Sequence, residues 1–190
     1  KHLTTGDGGA LMVPAGMRER GRLLKWYGLD RNDGTDYRCA QNIQEAGFKY
    51  HMNDIAATIG LANMPYVWGN VERGRVNALY YNEQFDDLPG FYRPDQPEKH
   101  SWWLYTLLVQ DRERFMAHLK EAGIASSPVH RRNDEHAAFW NPNGLLPGVE
   151  YFSAHEVAIP NGWWVTEDER DHIVETVRQY ERNRIYGQKE

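Results

Sequence analysis

The order of apolar and polar positions divides the chain into a loop-rich first part and a more regular second part. Residues 10–13 are a short apolar run closed by Pro14, which predicts a buried strand ending where a proline removes the next N–H donor. Residues 16–26 follow as an arginine-rich helix with Leu23 and Leu24 on its inner side. Residues 28–46 are polar and without period, so they predict a long loop of the kind that is functional or mobile. Asn53 is placed to cap a helix through Ile55, Ile59 and Leu61, and Pro65 marks a kink before a second helix over residues 66–85. Val67, Val71, Leu79 and Phe85, with charges between them, make that second helix a long amphipathic connector ended by Leu88-Pro89-Gly90.

From Ser101 the period changes. Trp103-Leu104-Tyr105-Thr106-Leu107-Leu108-Val109 has the aromatic and aliphatic content of a strand buried on both faces. Asp111 is placed to cap a helix carrying Phe115, Met116 and Leu119, which Gly123 terminates. Residues 124–129 read as a further strand. Thr166-Glu167-Asp168-Glu169 is a capping box that opens a final helix through Ile173, Val177 and Tyr180. The fold class is α/β, with a boundary near residue 86 between a first part, 1–86, and a small α/β domain, 87–190.

Composition adds exclusions. At 190 residues the chain is long enough to bury a core without disulfides or a metal. A net charge of −5 gives no electrostatic footprint for nucleic acid. Cys39 is the only cysteine, so no disulfide forms within the chain and a reducing cytoplasm is the simplest compartment. No run approaches the roughly 18 apolar residues that span a bilayer. Seven Trp and eleven Tyr suit aromatic-lined pockets, although aromatic core packing is the commoner use. No nucleophile elbow, P-loop or dinucleotide fingerprint occurs.

The chemistry concentrates in two strings. The first is Lys1-His2-Leu3-Thr4-Thr5-Gly6-Asp7-Gly8-Gly9-Ala10-Leu11-Met12, a lysine before a glycine-rich turn and an apolar run. By itself Lys1 also reads as a solvated chain end. The second is Gly47-Phe48-Lys49-Tyr50-His51-Met52-Asn53-Asp54-Ile55-Ala56-Ala57-Thr58-Ile59-Gly60-Leu61. Both resemble the sugar-nucleotide aminotransferases of the DegT/StrS family, which use pyridoxal 5'-phosphate (PLP). The resemblance implies a PLP-dependent transferase of fold type I. Residues 1–86 would be the C-terminal part of its large PLP-binding domain, and 87–190 its small domain.

It also implies roles. Lys1 is the Schiff-base lysine that holds PLP and moves a proton between the substrate carbon and the cofactor. Lys49 stands where the family sends a polar residue to the PLP phosphate of the partner subunit in a homodimer; read alone, it is a solvated lysine before a helix. His51 replaces an arginine of some relatives and is a candidate for binding substrate. In the family the lysine lies near mid-chain, so the sequence is expected to be the later part of a longer protein.

A third string, His130-Arg131-Arg132-Asn133-Asp134-Glu135-His136, has metal-ligand residue types but not the spacing of a common zinc module. No metal is expected. Preceded by Val129, it resembles a loop at the active-site mouth of a subgroup of these enzymes, which implies that His130 and Arg131 bind sugar hydroxyls or the diphosphate; a polar, internally bonded turn is the alternative. His100-Ser101-Trp102-Trp103-Leu104-Tyr105 and Ile159-Pro160-Asn161-Gly162-Trp163-Trp164 resemble the family's small-domain sheet, with Trp163 and Trp164 read as core or interface packing rather than a sugar platform.

The function implied is transfer of an amino group from glutamate or glutamine to a nucleotide-linked keto-sugar, in amino-sugar biosynthesis for surface polysaccharide or secondary metabolites. Two alternatives remain: a PLP-dependent sugar dehydratase of the same fold, some of which carry histidine in place of the lysine, and an inactive dimerisation fragment.

Overall fold

A computed structural model describes residues 2–34, 38–89, 91–92, 100–139 and 146–187. Two compact units divide the chain, Leu3–Pro65 and Tyr66–Glu190.

The first unit is mostly irregular. A short 3-10 turn leads into α1, Arg18–Leu24, and a second helix, α2, Asp54–Asn63, closes the unit. Asn53 caps α2 as expected, its side chain accepting from the Ala56 N–H at 2.9 Å. Residues 10–13 are not a strand. Leu11 and Met12 are 84% and 94% exposed. A strand needs a neighbour for its N–H and C=O groups, and the described residues place none beside this run.

The second unit is an α/β lobe. A 3-10 turn over Met64–Tyr66 starts α3, Val67–Phe85, at the expected proline. Three strands follow, β1 (Phe91–Tyr92), β2 (Tyr105–Val109) and β3 (Glu156–Ile159), antiparallel and in the order β1-β2-β3. Between them lie α4, Arg112–Glu121, capped by Asp111, and α5, Pro147–His155. The last helix, α6, Glu167–Tyr186, opens with the full capping box of Thr166 and Glu169.

Strand β2 is central because its apolar residues suit burial on both faces, and Leu107 is wholly buried. Ala78, Tyr81 and Phe85 of α3, Phe115 and Leu119 of α4, and Val177 and Tyr180 of α6 fill the same core. Part of the aromatic content sits here, including Tyr81, Phe85, Trp102, Tyr105, Phe115 and Tyr180. Tyr81 and Tyr105 meet edge to face at 5.0 Å, and their hydroxyls donate to the Pro160 carbonyl and to Asn82 Oδ1. Trp163 and Trp164 lie outside it: at 51% and 59% exposed, neither is a core residue of this chain.

The strand expected over residues 124–129 reduces to one bridge, Ser127 with Ala158. In register, the next hydrogen-bonded pair would be Val129 with Glu156. The Glu156 N–H is already given to the Phe152 carbonyl at the end of α5, so that main-chain pair does not close. Val129 N–H donates instead to Glu156 Oε1, at 2.9 Å. Among the described residues no helix is long and apolar enough to cross a membrane.

Candidate functional site

In the first unit the chain reverses after α1 with Tyr27 and Gly28 at φ 59° and 79°. A Cβ at Gly28 would lie 2.3 Å from the Glu45 carbonyl oxygen, and one at Gly47 would lie 2.4 Å from Gly28 N. Only glycine permits this crossing. The crossing lays residues 48–50 beside the end of α1, with Phe48 N–H donating to the Leu24 carbonyl at 2.7 Å and Tyr50 N–H to that of Lys25 at 2.8 Å. Extended backbone alternates its side chains. The Phe48 and Tyr50 rings therefore stack with centroids 5.0 Å apart, and Lys49 and His51 take the other side.

Both strings line one open cavity of about 1420 Å³, among them Thr5, Gly8, Lys25, Lys49, His51 and Asn53. The glycine-rich turn is internally bonded: Thr5 Oγ1 donates to the Asp7 carbonyl at 2.8 Å, and Gly8 N–H to Asp7 Oδ1 at 2.9 Å. Asn63 Nδ2 donates to the Thr4 carbonyl at 3.2 Å and ties the turn to α2. Of the lining cations, Arg22 is bound to Glu19 and to Asp30. Lys49 has no hydrogen-bond or ion-pair partner among the described residues, as suits a side chain that meets an anion. Lys1 lies outside the described residues.

His51 packs edge-on against Trp26, centroids 3.9 Å apart, and its Nδ1 is buried without a partner among the described residues. Burial, and then the charges of Lys49, Arg31 and Lys25, hold the imidazole below the ordinary histidine range. That shift favours the neutral ring. A neutral ring suits a hydroxyl or carbonyl partner better than a phosphate.

The third string is a turn in the second unit. Arg132 donates to both Asp134 carboxylate oxygens, at 3.0 and 2.6 Å, which holds that carboxyl below its usual range. Arg131 pairs with Glu135 at 2.9 Å with both side chains about half exposed or more, a surface pair of little strength that a ligand can displace. His130 is exposed. Among the described residues no group of three or more His, Cys, Asp or Glu side chains is arranged to hold a metal ion.

Lys49 and His51 thus share a cavity in the first unit, while His130 and Arg131 share a loop in the second. Lys25 and Trp26 were not among the residues expected at a site. For Lys25 the signal was present in the sequence, since Arg18, Arg22 and Lys25 at i, i+4 and i+7 place three cations on one helical face.

The sequence matches the DegT/DnrJ/EryC1/StrS aminotransferase family over residues 1–178. The chain belongs to this family. Two solved structures agree at similar levels: the sugar aminotransferase CalS13 from Micromonospora echinospora (36% identity, TM-score 0.86) and AtS13 from Actinomadura melliaura (38% identity, TM-score 0.87). Each is matched over 94% of this chain and over 49% and 48% of its own length respectively. An uncharacterized protein of Methanocaldococcus jannaschii is 29% identical over 196 residues, 94% of this chain and 51% of that protein. The chain therefore spans about half the length of the relatives it matches. The α/β fold class read from the sequence, a part of the fold type I transferase architecture, is the one these neighbours have.

Proposed function

We propose that this chain is part of a PLP-dependent aminotransferase that moves an amino group from glutamate or glutamine to a nucleotide-linked keto-sugar. The observation that carries the reading is a cavity lined by both family strings, with Lys49, unpaired among the described residues, on its wall. The donor set fits PLP: a hydroxyl- and glycine-rich turn and a free cation suit its phosphate. When bound, the cofactor supplies the electron sink that lets a carbon–nitrogen bond be exchanged.

In this reading Lys1 Nζ holds the cofactor and carries the proton taken from the substrate carbon. Lys49 Nζ serves the phosphate of the partner subunit in a homodimer, and the His51 ring donates a neutral hydrogen bond to the substrate. His130 and Arg131 bind the sugar hydroxyls or the diphosphate. A cytoplasmic location fits a chain whose one cysteine, Cys39, closes no internal disulfide.

The test is made in the intact polypeptide that carries this chain. With glutamate alone, without sugar, it should release one equivalent of 2-oxoglutarate per active site and bleach the violet-edge absorbance of bound PLP. Lys1→Ala should abolish both, together with borohydride trapping of the cofactor. Turnover that persists in Lys1→Ala would overturn the reading.

A further inference from the structure

Glu156 is a buried carboxylate, only 3% exposed, at the first position of β3. An ionisable side chain in such a place needs a partner, and its Oε1 accepts the Val129 N–H at 2.9 Å. Val129 immediately precedes the His130-Arg131 turn. On the near side the segment is held by the Ser127–Ala158 bridge, with Ala158 N–H donating to the Ser127 carbonyl at 2.9 Å. Beyond Val129, Arg132 and Asp134 brace the turn from within.

The carboxylate does a job that main chain does elsewhere in a ladder. The abrupt passage from α5 to β3 commits the Glu156 N–H to the Phe152 carbonyl, so the ladder between residues 127–129 and β3 stops one hydrogen-bonded pair early. The Glu156 side chain supplies an acceptor to Val129 N–H there instead. A charged acceptor gives a stronger bond to an amide than a carbonyl does, which suits one contact standing in for a pair.

We infer that Glu156 is the positioning residue of the His130–Arg131 loop, fixing through Val129 N–H the place from which those two side chains reach the sugar nucleotide. This rests on the substrate-loop reading above. Glu156 itself touches no reacting atom in this account.

The experiment compares Glu156→Ala with Glu156→Gln in the intact polypeptide, reading site-resolved amide exchange and the two half-reactions. Glu156→Ala should speed exchange of the Val129 amide roughly tenfold and raise the nucleotide-sugar KM by a similar factor, the scale of one lost hydrogen bond to a charged group. The glutamate half-reaction should not change. Glu156→Gln keeps a neutral acceptor oxygen in the same place and should recover most of both losses, falling short of the parent by the part that the charge contributes. Should Glu156→Ala not accumulate as folded protein, Glu156→Asp, which withdraws the acceptor by one methylene, is read in its place. Unchanged Val129 exchange overturns the inference, as does an equal loss in both half-reactions. If His130→Ala and Arg131→Ala leave the sugar KM untouched, the substrate-loop reading fails, and Val129 exchange still decides whether Glu156 holds the loop.

Discussion

The Asn161 side-chain amide donates to the carbonyl oxygen of Trp102 at 2.7 Å. Trp102 sits at φ 51°, an uncommon conformation for a residue with a side chain, and both residues are buried. The bond joins the two tryptophan-containing strings, one leading into β2 and one leaving β3. Asn77 Nδ2 adds a link from α3 to the Gly162 carbonyl at 3.3 Å. Asn161→Ala should therefore destabilise the protein by about 1–3 kcal/mol, the cost of leaving a buried acceptor unpaired. Asn161→Asp should cost at least as much, because a carboxylate offers no donor. Denaturant midpoints check both, and an unchanged midpoint for Asn161→Asp would rule out the bond as a stabilising contact.

Lys49 should act across the subunit boundary. Lys1→Ala and Lys49→Ala proteins, each inactive alone, should regain part of the activity when mixed and allowed to exchange subunits. One site of the hybrid dimer then has intact copies of both residues. Mixed preparations that stay as inactive as either parent would place Lys49 at its own subunit's site or at none.

His130→Ala and Arg131→Ala should each raise the nucleotide-sugar KM roughly ten- to a hundred-fold, the scale of the about 1.5–3 kcal/mol lost with a hydrogen bond to a charged group. The amino-donor half-reaction proceeds without the sugar and should be spared. Parallel kinetics on glutamate and on the sugar nucleotide separate this outcome from a general loss of fold.

His51 gives a pH dependence with a definite sign. Its folded-state pKa is lowered by burial and by Lys49, Arg31 and Lys25, so the unfolded state binds the proton first as pH falls. The stability contribution is full above the unfolded value, near 6.5, and is lost as pH drops through the lower folded value. His51→Gln should flatten the fall in thermal midpoint between pH 7 and about 5 relative to the parent. Equal slopes in the two proteins would mean that His51 titrates as it does in the unfolded chain.

The sequence alone determined whatever depends on neighbours a few residues away. The caps at Asn53, Asp111 and Thr166 with Glu169 are local hydrogen bonds, so residue type and spacing sufficed to place them. Strand β2 was legible for a related reason, since a run of aromatic, β-branched and aliphatic residues has few folded states other than burial. The family strings also marked Lys49 and His51, which the fold then lays on one cavity wall. Only the tertiary structure decided what depends on a distant partner. Residues 10–13 look like a strand but find no ladder among the described residues, and residues 124–129 lose theirs because α5 takes the Glu156 N–H first. Equally non-local are the crossing of Gly28 and Gly47, the desolvation of His51 by Trp26, and the hold of Glu156 on Val129, because each joins residues whose approach is set by packing rather than by spacing along the chain.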